Sequence, residues 1–252
     1  MIQARYGSTR LPNKVIKDLC GKPQLQRVIE RVQMSKIVDE VIVITSIDRI
    51  NLPILKLCSE LGIRVGVGSE DDVLDRYYQT ARLLRPEYII RVTGDCPLFD
   101  GELLDSAIKK MKKDTDYCAM LDEDFADGLD FEIIKYDCLE KAWKEAVHSY
   151  EREHVTQYII HHPDLFKIQS FKSPIGNFGK YRWTVDEQED FELVEQIYKF
   201  FLQEKKKNEF SYKEILAYLK DNPQLVEINS KYTRNEGLAK SISEDYIVDL
   251  PR

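Results

Sequence analysis

Gln3-Ala4-Arg5-Tyr6-Gly7-Ser8-Thr9-Arg10-Leu11-Pro12-Asn13-Lys14 stands between a short apolar start at Met1 and Ile2 and a helix-patterned segment that begins near Pro23. It therefore reads as the first strand-to-helix connection of an α/β domain. Gly7 lets the backbone approach a ligand, Ser8 and Thr9 add hydroxyls and N–H groups, and Arg5, Arg10 and Lys14 bring positive charge into one loop. That is the chemistry of a polyphosphate cradle. The spacing fits neither a Walker loop nor a dinucleotide fingerprint. Spacing alone leaves a solvated turn with scattered charges open beside it.

The chain beyond the loop alternates. Leu25, Val28, Ile29 and Val32 recur at helical spacing, and residues 40–45 form an apolar, β-branched run. Residues 51–61 predict a helix stopped by Gly62, residues 64–67 a strand, 71–84 a helix and 88–92 a strand. Strands alternating with helices imply a mostly parallel central sheet with helices on both faces, where ligands bind beyond the carboxyl ends of the strands. The loop 5–14 and the turn at Gly94-Asp95 fall at such ends. Further on, residues 101–112 predict a helix, 117–120 and 130–134 strands, 137–147 and 150–161 helices, 166–171 and 180–185 strands, and 190–203 a helix. After a solvated Lys205-Lys206-Lys207 run, 212–219 predicts one more helix, and from residue 224 the pattern predicts a loose tail. The expected division is a main domain over 1–207 and a small C-terminal helical extension and tail over 208–252.

A chain of 252 residues with a net charge of −7 suits one α/β domain plus an appendage and argues against general nucleic-acid or anionic-membrane binding. Against that acidic background the basic first loop stands out. The five cysteines are widely spaced without a C-x-x-C pair, which indicates neither a disulfide framework nor a zinc site and points to a reducing cytoplasm. No apolar run approaches the ~20 residues of a membrane span.

The first loop resembles the opening motif Q-A-R-x-G-S-T-R-L-P-x-K of the cytidylyltransferase family that includes the spore coat polysaccharide biosynthesis protein F group. The CTP-dependent synthetases that activate Kdo and sialic acid are more distant relatives. The resemblance continues in order through Gly68-Ser69-Glu70-Asp71-Asp72-Val73-Leu74-Asp75-Arg76-Tyr77, Arg91-Val92-Thr93-Gly94-Asp95-Cys96-Pro97-Leu98, Arg152-Glu153-His154-Val155-Thr156 and Thr184-Val185-Asp186. It implies a Rossmann-like nucleotide-diphospho-sugar transferase fold and transfer of CMP from CTP, with Mg²⁺, to a small acidic acceptor in surface polysaccharide assembly. A homodimer is a further implication. Tyr6 and Asn13 depart from the Met and Gly common at those positions.

The resemblance implies roles for particular residues. Arg10, Lys14 and Asp95 would be catalytic, and Asp95 with Asp186 would hold the metal. Ala4, Arg5, Gly7, Ser8, Thr9, Arg10, Lys14, Ser69, Asp72, Arg76, Thr93 and Gly94 would surround the nucleotide. Asp130, Glu132, Arg152, His154, Lys180 and Arg182 would face the acceptor. From the residues themselves, Asp95 and Asp186 also read as turn or helix N-cap residues. Arg91 reads either as a carboxylate's partner or as a nucleotide ligand. Arg152 and His154, two apart on a helix, point to different faces. Losing one phosphate-holding charge is expected to reduce activity without unfolding the chain. A D-x-D at Asp122-Glu123-Asp124 keeps open a sugar-nucleotide-dependent glycosyltransferase of related fold, and a non-catalytic nucleotide-binding protein is a third alternative.

Overall fold

The apolar run after residue 40 sends successive side chains to opposite cores. In the computed structural model, which describes residues 1–204, 206, 209–234 and 236–249, Val43 enters one hydrophobic cluster while Ile42 and Ile44 enter another. This two-residue period places the sheet between two helical layers. The strands are β1 (Ile2–Gln3), β2 (Ile42–Ser46), β3 (Arg64–Gly68), β4 (Tyr88–Thr93), β5 (Tyr117–Ala119), β6 (Glu132–Lys135) and β7 (Ile168–Ser170). They lie in the order β3-β2-β1-β4-β6-β5-β7. The β3-β2-β1-β4 half is all parallel; β6 runs antiparallel to both β4 and β5, and β7 is parallel to β5.

Helices Gln24–Val32, Leu52–Leu61, Gly101–Lys110, Gln188–Lys199 and Tyr212–Asp221 bury their apolar stripes in the larger cluster. Helices Val73–Leu84, Tyr136–Glu145 and Gln157–His161 cover the other face. Gly62 ends its helix in the left-handed conformation at φ 68°, where a side chain would be strained.

Three expectations change. The helix expected over 150–161 is two, Ser149–His154 and Gln157–His161, because the chain turns at Val155 with φ 64°, a costly conformation for a β-branched residue. The strand expected at 180–185 is an extended segment with a single bridge, Asp127 to Arg182. The tail from residue 224 is structured: Pro223–Val226 and Glu227–Asn229 are helical turns, Glu236–Ser243 is a helix, and Ile247 bridges to His148. Asn229 anchors it, buried and donating to the Asp190 carboxylate at 2.8 Å and to the Arg182 carbonyl at 3.0 Å. Lys205 and Lys207 of the expected lysine run lie outside the described residues.

Candidate active site

The site begins where β1 and β4 end side by side. Gly94 N–H donates to the Gln3 carbonyl at 2.8 Å, and a Cβ on Gly94 would lie 3.0 Å from that oxygen, so the close approach favours glycine. Asp95 thus leaves β4 directly beside the loop 5–14. The loop is pinned from β2: Asn51, fully buried, donates to the Ser46 hydroxyl at 2.6 Å and accepts from the Tyr6 N–H at 2.8 Å. Asn13 at φ 60° then starts a short 3₁₀ turn, Lys14–Ile16. The Lys14 ammonium donates to Asp186 Oδ1 at 2.8 Å, to the Val185 carbonyl at 2.8 Å and to Asp95 Oδ2 at 3.3 Å.

Asp186 reaches this point on the extended segment after Lys180. Trp183 and Thr184 N–H groups donate to the Asp127 carbonyl at 2.6 and 3.0 Å, and Val185 N–H donates to the Asp95 carbonyl at 2.8 Å. Gly128 permits the approach: it sits at φ 103°, and a Cβ there would lie 2.4 Å from the Thr184 nitrogen. Arg182 clamps the segment, donating to Asp190 at 2.9 and 3.1 Å, to Asp127 at 3.0 Å and to Asp186 at 3.2 Å.

The electrostatics follow from this enclosure. Burial alone would lower the Lys14 pKa, but Asp95 and Asp186 outweigh it and raise it, so the ammonium is held charged. Burial pushes the Asp95 carboxyl up, and Lys14 together with hydrogen bonds from Thr93 and Cys96 overcomes that and holds it below its usual value. Burial and the neighbouring Asp130 push Asp127 up to about 7, against Arg234 and Arg182.

Two adjoining cavities open here. One, of about 250 Å³, is lined by Arg10, Asp95, Cys96, Arg182 and Asp186; the other, of about 410 Å³, by Arg91, Tyr117, Phe131, Glu132, Gln157 and Arg234. Thr93, Asp127, Asp130, His154 and Leu238 border both. The carboxylates expected at the metal site and those expected at the acceptor site therefore line neighbouring spaces.

The other expected residues divide. Arg10, half exposed, pairs with Asp186 at 3.0 Å. Arg5 is exposed and pairs with Glu70 at 3.4 Å, which brings the 69–72 turn against the first loop. Ala4 is buried under the loop, Gly7 and Thr9 are exposed, and the Ser8 hydroxyl accepts from the Leu11 N–H at 3.4 Å. The Ser69 hydroxyl accepts from Asp72 N–H at 3.0 Å, and the buried Arg76 donates to the Ser69 and Glu70 carbonyls at 2.9 Å. Asp72 caps its helix by accepting from Asp75 N–H at 2.8 Å. These side chains hold their own turn.

Arg152 lies away from both cavities. Only 2% exposed, it donates to Asp72 at 2.6 and 2.9 Å and to the Trp143 carbonyl at 2.6 Å, and it lines neither cavity. It joins the helix start at Asp72 to the short helix Ser149–His154. Lys180, exposed on a turn with its ammonium 5.1 Å from the Tyr181 ring centre, also lies outside both linings. Arg182 is partly buried in its carboxylate cluster, which gives it a framing task at the cavity wall. Arg91 is a carboxylate's partner, donating to Glu132 and, at 3.0 Å, to Gln3.

His154 faces both cavities, its Nε2 3.0 Å from the Ser241 hydroxyl. Burial pulls its pKa below the ordinary value, Arg91 adding to the effect and Glu153 and Glu132 opposing it. A histidine lowered in the folded state leaves stability intact above the unfolded value of about 6.5 and costs stability as pH falls from there toward the folded value. His154→Gln is therefore expected to flatten the loss of melting temperature between pH 7 and pH 5. Equal slopes in the two proteins would contradict this.

Asn51, Asp127, Gly128, Asp190 and Arg234 are site or framing residues absent from the sequence expectations. Asp127-Gly128 carried a signal, since an Asp-Gly pair marks a turn that brings backbones close.

A half-parallel α/β sheet whose first loop is cationic and whose carboxylates face that loop across the strand ends defines a nucleotidyltransferase-like protein. The chain belongs to the cytidylyltransferase family, whose model matches residues 1–228. It is 39% identical over 233 residues to an uncharacterised protein of Methanocaldococcus jannaschii, covering 91% of this chain and 93% of that one. It is 35% identical over 231 residues to the spore coat polysaccharide biosynthesis protein SpsF of Bacillus subtilis, covering 88% and 94%. A solved cytidylyltransferase structure from Leptospira borgpetersenii superposes with a TM-score of 0.84 at 31% identity, covering 93% of this chain and 97% of the other. Among the described residues no helix is long and apolar enough to cross a membrane.

Proposed function

We propose that this nucleotidyltransferase moves CMP from CTP to a small acidic acceptor, a sugar acid or a phosphorylated or phosphonylated molecule, and releases pyrophosphate, as a step in surface polysaccharide assembly. The observation that carries the reading is the meeting of Lys14 with Asp95 and Asp186 on one ammonium at the strand ends. Arg5, Arg10 and Lys14, with Ser8, Thr9 and loop N–H groups, would hold the β- and γ-phosphates. Thr93 and Gly94 would lie under the reacting centre, and Asp130, Glu132 and His154 would face the acceptor in the larger cavity.

The donor set fits Mg²⁺. Two carboxylates that share a lysine within 3.3 Å are close enough to share one hard cation, which is commonly held by one or two carboxylates plus phosphate oxygens. When bound, Mg²⁺ supplies charge neutralisation to the triphosphate. What the chain's own residues would contribute is positioning: in-line attack on the α-phosphorus needs the two substrates held in adjoining spaces, and the shared border of the cavities supports that reading.

Of the D-x-D at 122–124 the middle residue Glu123 lines the larger cavity, while the two aspartates are engaged elsewhere. Asp122 accepts from the Ser170 hydroxyl and pairs with Lys172 at 3.4 Å, Asp124 accepts from Ser173 N–H at 2.7 Å, and neither lines a cavity. Pyrophosphate release measured with each of the four nucleoside triphosphates against a panel of acidic acceptors tests the reading. CTP is expected to support release and EDTA to abolish it. Turnover that persists in metal-free buffer, or sugar transfer from a nucleotide sugar without pyrophosphate, would contradict the proposal.

A further inference from the structure

Beyond Asn229 the described part of the chain borders both cavities, with Arg234 on the larger, Thr233 and Gly237 on the smaller and Leu238 on both. At its near end Arg182 donates to the Thr233 carbonyl at 3.3 Å. At its far end Ser149 N–H donates to the Tyr246 carbonyl at 2.9 Å, and Asp245 meets His148 Nδ1 at 2.6 Å and accepts from the Ser149 hydroxyl at 3.0 Å. Between these anchors Arg234 and Leu238 line the larger cavity. The stretch matched by the family model ends at residue 228, so this wall lies outside what that model describes.

We propose that Arg234 and Leu238 form an acceptor-selecting wall of the larger cavity and that Arg234 contacts the acceptor's anionic group. The inference rests on the transferase reading above for what occupies the larger cavity. Arg234 donates to Asp130 and, at 3.1 Å, to the Phe125 carbonyl. It lines the larger cavity and not the smaller one, which holds Arg10, Asp95 and Asp186, although its partner Asp130 borders both. The cavity's other guanidinium, Arg91, sits in the sheet and is tied to Glu132 and Gln3. A guanidinium presents a planar fork of donors, so it can keep one carboxylate and take a second anion in the same plane. Leu238 on the same wall, with Met120, Phe131 and Ile160 also in the lining, gives the rest of the acceptor an apolar flank. Glu123, Asp127, Asp130 and Glu132 also line this cavity, so the ligand class is a small molecule with an anionic group for Arg234, an apolar face and hydroxyls or other donors for the carboxylates.

The test is calorimetric and does not need turnover. Wild-type protein, Arg234→Ala and Arg234→Lys are each saturated with Mg²⁺ and a non-hydrolysable CTP analogue. Each is then titrated with 3-deoxy-manno-octulosonate, N-acetylneuraminate and a sugar phosphate, and with the methyl esters of the same compounds. A hydrogen bond to a charged group is worth about 1.5–3 kcal/mol, so wild type is expected to prefer an acid over its ester by roughly tenfold or more. Arg234→Ala is expected to lose that preference. Arg234→Lys, which keeps a charge opposite Asp130, is expected to retain part of it. Affinity for the CTP analogue should stay within about twofold in all three, a result that also shows the variants to be folded. A merely structural Arg234 would weaken acid and ester alike, and that outcome, an undiminished preference in Arg234→Ala, or no acid preference in wild type overturns the assignment. Acid-selective binding without acceptor-dependent pyrophosphate release would remove the transferase reading and leave Arg234 standing. Release without acid selectivity would do the reverse.

Discussion

Lys14→Ala is expected to lower pyrophosphate release by roughly 10²–10³-fold, the usual cost of removing one preorganised charge from a transfer site. It is also expected to destabilise the metal-free protein by about 3 kcal/mol, in the range seen when one member of a buried ion pair is removed. The second effect departs from the sequence expectation of an activity loss without unfolding. Lys14 is only 12% exposed and its partners Asp95 and Asp186 are 28% and 18% exposed, so the substitution leaves two enclosed carboxylates facing each other. Millimolar Mg²⁺ should restore more melting temperature to the variant than it adds to wild type, because a cation between the carboxylates replaces the missing ammonium. Unchanged stability with and without Mg²⁺ would mean that the carboxylates relax apart, and full activity would remove Lys14 from the reaction.

Arg182→Leu is expected to have the largest effect on stability, about 3–5 kcal/mol at neutral pH. It strands Asp190, which is fully buried, together with Asp127 and Asp186. Asp190 also accepts from the N–H groups of Asp186 and Glu187 at 3.0 Å, so the damage passes directly to the segment that presents Asp186. The pH dependence has a definite sign. Asp127, which burial and Asp130 already push up to about 7, loses an opposing charge with Arg182, so the added penalty is absent below the unfolded value of about 3.9, grows as pH rises from there and is complete above the folded value. Urea unfolding at pH 4.5 and pH 8 should show the variant's deficit shrinking at the lower pH. A deficit that is small or independent of pH would contradict the clamp.

The parallel half of the sheet was legible because its signals are local. Gly62 ends a helix by its own conformation, and β2 announces itself by a β-branched run. Roles for Lys14, Asp95 and Asp186 came through the resemblance, because on the residues alone the two aspartates read equally as turn or helix N-cap positions. What was not legible depends on contacts between distant positions. Arg152 and Lys180 are of the type that binds anions, and only the fold shows that the first is consumed by Asp72 and the second lies on an exposed turn. The segment 181–185 has a strand's composition, yet it is held by carbonyls of Asp127 and Asp95 instead of by a ladder. The tail looked loose because Glu236–Ser243 is short and polar. Its order comes from buried Asn229 at one end and from contacts to His148 and Ser149 at the other.

A crystal structure of the protein with Mg²⁺ and a non-hydrolysable CTP analogue tests the central claim most directly. The account predicts the Lys14 ammonium on the triphosphate, Asp95 and Asp186 on the metal, and the α-phosphorus at the border of the two cavities beside Asp127 and His154. A nucleotide bound elsewhere, with Lys14 still bridging Asp95 and Asp186, would contradict it.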